Sequence, residues 1–351
     1  MPSTKTPPIT LLTGPTGSGK SALALAAAQL RPTVIINADA MQMVATLRTL
    51  TARPTEAEEQ QAEHALYGVL PPESPTSVAV WLALVAPAIR RAWAEGKAPL
   101  LVGGTGMYLK ALMEGLAAVP PIPEAIRSKV RSWADASCVG FAKPPSIPSP
   151  IGGGLGWGQD MVAASHHPDN NQPPASSLQS PSLHTRLAAC DPLMAGRLKP
   201  GDTQRILRAL EVVEATGTSL ADWQEKKHKP LFPCSEFRTF YVDIPRPIIY
   251  HNIDRRFTSM MDRGALDEVR QLMELNLPPD TPILRAHGVP ELIAHLRGTL
   301  SLEAAITKAQ QHTRNYAKRQ MTWIRNQLPT ATALPHDLPP ARAAARIFTG
   351  L

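Results

Sequence analysis

The sequence predicts an α/β protein built on a parallel sheet flanked by helices. Three observations carry that expectation. Short β-branched runs alternate with helix-period segments through the first third of the chain, the pattern of successive βαβ units. The first run ends in a glycine-rich loop that opens the first helix, and a later run ends in a glycine pair. Turn chemistry therefore falls at the carboxyl ends of strands, where sheets of this kind carry their sites.

Ile9 to Thr13 is the first apolar run, closed by Gly14, and Ser21 to Leu30 is an Ala/Leu helix stopped by Pro32. Val34-Ile35-Ile36 is a second buried strand, dense in β-branched residues. Ser77 is a good N-cap for a helix that carries Trp81, Leu84, Ala88 and Ala92 along one face until Gly96 ends it. Pro99 to Val102 forms the next strand and runs into Gly103-Gly104. From Cys138 to Ser182 the periodicity disappears into Gly152-Gly153-Gly154, Pro144, Pro145, Pro173, Pro174 and Asn170-Asn171-Gln172, a composition that reads as a disordered insertion. Helical periodicity returns at His184. Phe237 to Ile244 reads as a further strand, and amphipathic helices are expected over about Ile248 to Leu275 and Leu302 to Arg325. Trp81, Trp93 and Trp323 sit at helical spacing among apolar residues and read as core.

Composition narrows the functional classes. A chain of 351 residues makes roughly two domains, and 43% hydrophobic with 19% charged residues excludes wholesale disorder. Lys+Arg 36 against Asp+Glu 29 leaves +7, which favours an anionic partner: nucleic acid, phosphometabolite or acidic membrane. Cys138, Cys190 and Cys234 are odd in number and form no C-x-x-C pair, so neither a disulfide framework nor a zinc site is indicated. The richest apolar stretch, Val78 to Ala88, is broken by Pro87 and followed by Arg90-Arg91, short of the roughly 20 residues of a membrane span. A soluble, cytoplasmic protein is expected. His166-His167 and the other histidines make no H-E-x-x-H, which argues against a metal centre of that type.

Gly14-Pro15-Thr16-Gly17-Ser18-Gly19-Lys20-Ser21 satisfies G-x-x-x-x-G-K-[ST] between a predicted strand and a predicted helix, which makes the fold P-loop NTPase-like. Backbone N–H groups at the helix start wrap phosphate oxygens, Lys20 adds a point charge, and the Ser21 hydroxyl suits Mg²⁺. The loop alone does not distinguish a diphosphate from a triphosphate. Asp39 follows the second strand, beside this loop. A carboxylate there could hold Mg²⁺ through water, accept a proton from a nucleophile, or cap a helix.

The third strand tips the balance. Leu101-Val102-Gly103-Gly104-Thr105-Gly106-Met107-Tyr108, together with the phosphate loop and Asp39-Ala40-Met41-Gln42, resembles the tRNA dimethylallyltransferase (tRNA isopentenyltransferase, IPP transferase) family. Thr51-Ala52-Arg53-Pro54, Asp191-Pro192, Asp202 to Glu211 and Ala317 to Trp323 are similar to further landmarks in family order, over about residues 9 to 326. The chain departs from the family pattern at Ala40, Val44, Asn252 and His287-Gly288-Val289. The resemblance implies transfer of a dimethylallyl group from dimethylallyl diphosphate to N6 of the adenosine 3′-adjacent to the anticodon, with release of diphosphate. It implies Asp39 as general base, Thr105 beside the reacting centre, Arg256 reaching the diphosphate, and Mg²⁺ on Ser21. It implies tRNA contacts at Asp39, Ala40, Met41, Gln42, Thr105, Arg127, Gln204, Arg205, Ile206, Leu207 and Arg208, through the anticodon stem-loop, in a monomer. Arg314, Lys318 and Arg325 share one face of the last long helix, opposite the Ala317, Met321, Ile324 stripe, and that face can meet RNA.

The expected domains are a P-loop core over 1–119, a mainly helical insertion domain over 120–190 containing the 138–182 tract, the rest of the core over 191–335, and a C-terminal tail over 336–351. Two other classes fit the phosphate loop taken alone: a small-molecule kinase with Arg205 and Arg208 as its lid, and a nucleotide-gated RNA-binding protein without catalysis.

Overall fold

The computed structural model describes residues 6–138, 182–226 and 229–349. Strands β1 (Ile9–Thr13), β2 (Thr33–Asn37), β3 (Glu63–Ala65), β4 (Ala98–Gly103), β5 (Phe237–Asp243) and β6 (Thr332–Pro335) make one parallel sheet in the order β3-β2-β4-β1-β5-β6. The helices in chain order are α1 (Lys20–Ala28), α2 (Glu56–Gln61), α3 (Val78–Ala94), α4 (Gly106–Glu114), α5 (Glu124–Cys138), α6 (Leu183–Cys190), α7 (Pro192–Arg197), α8 (Thr203–Thr216), α9 (Leu220–Glu225), α10 (Arg246–Asp262), α11 (Ala265–Glu274), α12 (Val289–Leu296), α13 (Leu302–Gln327) and α14 (Pro340–Thr349). No helix among the described residues is long and apolar enough to cross a membrane.

The chain divides into two compact units, Met1–Leu116 with His228–Leu351, and Ala117–Lys227. The first unit holds the whole sheet. β1, β2 and β4 are buried along their full length, as fits central strands covered on both faces. Trp81 on α3 is fully buried and stacks on Tyr108 of α4 at 4.7 Å. Trp323 packs against the same core and leaves no room at Gly106, where a Cβ would meet the indole at 2.4 Å. The edge strands β3 and β6 lie outside the sequence expectation. Each pairs on one side only, so neither carries the continuous apolar run of a central strand, and β6 ends on Pro335, which an edge tolerates. The long helix expected over Ile248 to Leu275 is two helices, because Gly264 takes φ 90° and starts α11 anew.

Residues 336–351 are a correction to the expected tail. α14 buries Ala343, Ala344 and Ile347 in one cluster with Leu23, Ala24 and Ala27 of α1, so it is part of the core.

Among its described residues the second unit is helical, and it extends further than the sequence suggested. Residues 191–227, expected with the sheet, belong to it because Met194 of α7, Leu198 just after it, and Ile206, Ala209 and Leu210 of α8 are buried in one cluster with Val130 of α5 and Leu187 of α6. Asp191 fixes the joint: its buried carboxylate accepts from Met194 N–H at 3.0 Å, from the Ser219 hydroxyl at 2.8 Å and from Leu220 N–H at 3.3 Å. The Gly/Pro-rich tract lies outside the described residues except at its ends. Cys138 closes α5, and Ser182 caps α6 by accepting from Thr185 N–H at 3.1 Å.

Candidate active site

Three strand ends build the site. β1 runs into the phosphate loop, β2 into Ala38 to Gln42, and β4 into Gly104 to Gly106, with Asn37 opposite Val102 and Thr13 opposite Gly103 in register. Gly103 is required here by close approach, since a Cβ would meet the Ala38 carbonyl oxygen at 2.1 Å. The backbone after β2 therefore lies against the end of β4. Ala38 N–H donates to Val102 at 2.8 Å, and Thr105 N–H returns to Ala38 at 3.3 Å.

Asp39 is oriented by a residue that the sequence reading passed over. Asn37 is fully buried; its Oδ1 accepts from Asp39 N–H at 2.8 Å, and its Nδ2 donates to the carbonyls of Asp39 at 2.9 Å and Leu66 at 3.0 Å. Asp39 Oδ1 in turn accepts from Met41 N–H at 3.0 Å. Ala40 N–H donates to Thr105 Oγ1 at 3.1 Å, which ties the segment carrying Asp39 to the β4 turn. The Gln42 amide nitrogen is engaged by the carbonyls of Thr51 and Ala52, both at 2.9 Å, so the group it retains for a ligand is its acceptor oxygen.

The phosphate loop has the geometry its motif requires. Gly17 and Gly19 take φ 82° and 85°, values that suit glycine, and Ser18 N–H closes on Pro15 at 3.2 Å. The Ser18 hydroxyl is buried and has no partner. Arg256 on α10 donates to Thr16 Oγ1, and Asn252, one turn earlier, donates to Gly17 O at 3.1 Å. Burial pushes the Lys20 ammonium from 10.5 down to about 8; Asp39 pulls it back up and Arg256 adds to the lowering. Burial likewise lowers Arg256, again against the pull of Asp39.

Two cavities meet at this loop. The larger, about 1170 Å³, runs from Gly17, Lys20 and Ser21 past Arg255 and Arg256 to Arg48 and Arg53. The smaller, about 310 Å³, is lined by Thr16, Lys20, Ser21, Asp39, Ala40, Met41, Gln42, Thr105 and Arg256, with Tyr316, Gln320 and His287 across from them. Burial holds His287 below its ordinary value and Tyr316 well above its own, so the phenol remains a donor; the two rings lie 4.5 Å apart. Tyr316 and Gln320 stand four apart on α13, the spacing that puts both on one face. That spacing, beside the Ala317 stripe, is the signal that could have found them. Pro15 faces a separate cavity with Met321 and Ile324, and Gly14 packs against Ser18, where a Cβ would lie 2.8 Å from the hydroxyl.

The remaining expected RNA residues lie in the helical unit. Gln204, Arg205 and Arg208 are exposed on α8, whereas the Ile206 and Leu207 side chains are buried in its core. Those two side chains pack the unit, which leaves Gln204, Arg205 and Arg208 as the exposed side chains of this stretch. Arg127 is half-buried on α5, 3.9 Å from Glu124. In the sheet unit, Lys318 is exposed but Arg314 is paired to Asp254 at 2.5 Å and is only 20% exposed. Arg314 is thus a bracket between α13 and α10, and the expected basic face loses one member.

The loop charge gives a test that needs no knowledge of the substrate. Lys20 keeps its proton below about pH 8, so affinity for inorganic diphosphate should hold up to that pH and weaken as pH rises through it. Titration calorimetry on wild type and Lys20→Met across this range checks the sign; the step should be missing in the variant.

Comparison with known proteins agrees with this architecture. An "IPP transferase" family profile matches residues 42–140 and 159–327, and an "Isopentenyl transferase" profile matches residues 7–67. The first match breaks only over 141–158, a shorter interruption than the expected 138–182 tract. A tRNA dimethylallyltransferase of Rhodospirillum centenum is 44% identical over 331 residues, 94% of this chain and 92% of that protein. One from Azorhizobium caulinodans is 44% identical over 319 residues, 91% and 89% of the two chains. Among solved structures, the full-length tRNA isopentenylpyrophosphate transferase of Bacillus halodurans aligns with TM-score 0.62 at 25% identity, covering 99% of this chain and 95% of its own. A eukaryotic dimethylallyltransferase described as acting on tRNA shares the fold, with TM-score 0.68 at 22% identity over 96% of this chain and 77% of its own. With relatives this similar along nearly its full length, the chain belongs to the tRNA dimethylallyltransferase, or IPP transferase, family.

Proposed function

We propose that this protein transfers the dimethylallyl group of dimethylallyl diphosphate to N6 of the adenosine 3′-adjacent to the anticodon of certain tRNAs. The observation that carries the reading is the small cavity, in which a single carboxylate, Asp39, and the Thr105 hydroxyl share walls with Lys20, Thr16 and Arg256 of the phosphate site. A base and a leaving-group cradle in one cavity suit substitution at an allylic carbon. The N6–C1 bond forms as the C1–O bond breaks, the N6 proton passes to Asp39, and the electron pair leaves with diphosphate. Lys20, Arg256 and the loop N–H groups meet the charge that grows on the leaving oxygens. The acceptor oxygen of Gln42 suits a hydrogen-bond donor on the adenine edge.

Mg²⁺ fits this donor set. The Ser21 hydroxyl is exposed at the start of α1 and lines both cavities, and no cluster of three or more His, Cys, Asp or Glu among the described residues could hold a metal by itself. A hard ion held by one hydroxyl, water and the substrate's own phosphate oxygens is the usual arrangement for Mg²⁺, and when bound it supplies charge neutralisation to the leaving diphosphate. A cytoplasmic monomer engaging the anticodon stem-loop completes the reading.

Nucleoside mass spectrometry of tRNA incubated with the protein and dimethylallyl diphosphate tests it. The expected product is adenosine heavier by one dimethylallyl group. Unmodified tRNA, with ATP consumed instead in the presence of a small acceptor, would make the protein a kinase.

Phosphate contacts have a separate signature. If Arg205, Arg208 and Lys318 each meet an RNA phosphate, neutralising any one should lower the log–log salt slope of tRNA affinity by about 0.7–0.9. Arg314→Ala should leave the slope unchanged, because its charge is already paired to Asp254.

A further inference from the structure

Gln320 is a buried amide, 6% exposed, with both of its ends engaged. Its Oε1 accepts from the Thr16 N–H of the phosphate loop at 2.8 Å, and its Nε2 donates to the Gly104 carbonyl at 3.1 Å. The fit is close. A Cβ on Gly104 would lie 2.0 Å from that nitrogen, so position 104 has to be glycine for the amide to seat. Outward from Gln320 the bonding continues in both directions. Tyr316, one turn before Gln320 on α13, lines the same cavity as Gln320 and Thr105, and Thr105 Oγ1 accepts from Ala40 N–H, next to Asp39. On the other side, Thr16 Oγ1 accepts from Arg256.

Sheet order gives this connection its meaning. The phosphate cradle follows β1 and the carboxylate follows β2, but β1 and β2 are not neighbours; β4 lies between them. No ladder hydrogen bond sets the spacing from cradle to base directly. The turn after β4 is the shared reference, and Gln320 is the side chain that bonds both that turn and the phosphate loop. Thr105, on the same turn, extends the reference to the Asp39 segment through its bond from Ala40 N–H, with Tyr316 lining the cavity beside it.

We propose that Gln320, acting with Tyr316, is a positioning residue that fixes the distance between the diphosphate cradle and Asp39. This rests on the transfer reaction proposed above. Neither side chain exchanges a proton or forms a bond in the reaction; Gln320 acts by holding Thr16 and Gly104, and Tyr316 by filling the cavity wall beside Gln320 and Thr105. In-line attack tolerates little displacement, and a misplacement of about 1 Å lowers the rate about 10²-fold.

The test is steady-state kinetics of wild type, Gln320→Leu, Tyr316→Phe and the double variant, with tRNA and dimethylallyl diphosphate, alongside thermal melts. Gln320→Leu should lower kcat by about 10²-fold with both KM values changed by no more than about threefold, because binding groups remain while alignment is lost. Tyr316→Phe should lower kcat by about tenfold, and the double variant should be little worse than Gln320→Leu alone, since the two act as one unit. If Gln320→Leu melts below the assay temperature, Tyr316→Phe, which removes one atom, carries the same test. Unchanged kcat in folded variants would overturn the proposal, as would losses that multiply independently or that disappear when the assay is cooled below the melt. Wild type that leaves tRNA unmodified would instead overturn the transfer reaction itself.

Discussion

Asp39→Asn is expected to lower tRNA prenylation by about 10²–10⁴-fold while tRNA binding changes little. The substitution is nearly isosteric, and an amide oxygen can still accept from Met41 N–H, so the Asn37 lock on the backbone stays in place. What disappears is basicity at the point where the adenine amine loses its proton. The carboxylate also helps keep Lys20 and Arg256 charged, so removing it lowers Lys20 further below about 8. Comparing the two proteins across pH separates the contributions, because the share of the deficit that comes through Lys20 should shrink as pH falls and the share from the lost base should not. Single-turnover rates with saturating substrates check the prediction, and near-normal turnover excludes the role.

The second large effect is at the leaving group. Lys20→Ala should lower kcat/KM for dimethylallyl diphosphate by about 2–4 kcal/mol, the scale of losing one preorganised donor to a developing anion. Arg256→Ala should act in the same direction, with an added effect through Thr16, because the guanidinium bonds the Thr16 hydroxyl. Filter binding of tRNA alone should be unchanged in both variants. A parallel loss of tRNA affinity would move these residues from the diphosphate site to the RNA surface.

The contrast between Lys20 and Gln320 shows what a one-dimensional reading can reach. Lys20, Ser21 and the loop glycines are adjacent in the chain, and their chemistry follows from backbone conformation over eight positions, so the motif announces itself. Gln320 reaches its partners across 304 and 216 residues, and nothing local marks it. Asn37 was invisible for a different reason. It ends a buried strand, where a polar residue reads as the onset of a turn, and only the fold shows both of its amide atoms engaged by the Asp39 and Leu66 backbone. Ile206 and Leu207 show the same limit from the other side. The landmark segment suggested contact along its length, and only the fold shows that helical geometry turns those two side chains into the core while Gln204, Arg205 and Arg208 face out.

By itself the sequence determined the central strands, the phosphate loop, the presence of Asp39 and Thr105 at strand ends, and the family. These are properties of short apolar runs and of glycine, lysine and acid placed within a few residues of a strand terminus. Tertiary structure decided the edge strands β3 and β6, the docking of α14 on α1, and the assignment of residues 191–227 to the helical unit. It also decided the convergence of Asp39, Arg256, Tyr316 and Gln320 on one cavity. The physical reason is the same in each case: long-range pairing and burial depend on partners tens to hundreds of residues away, and the local pattern of a segment carries no record of which partner it will meet.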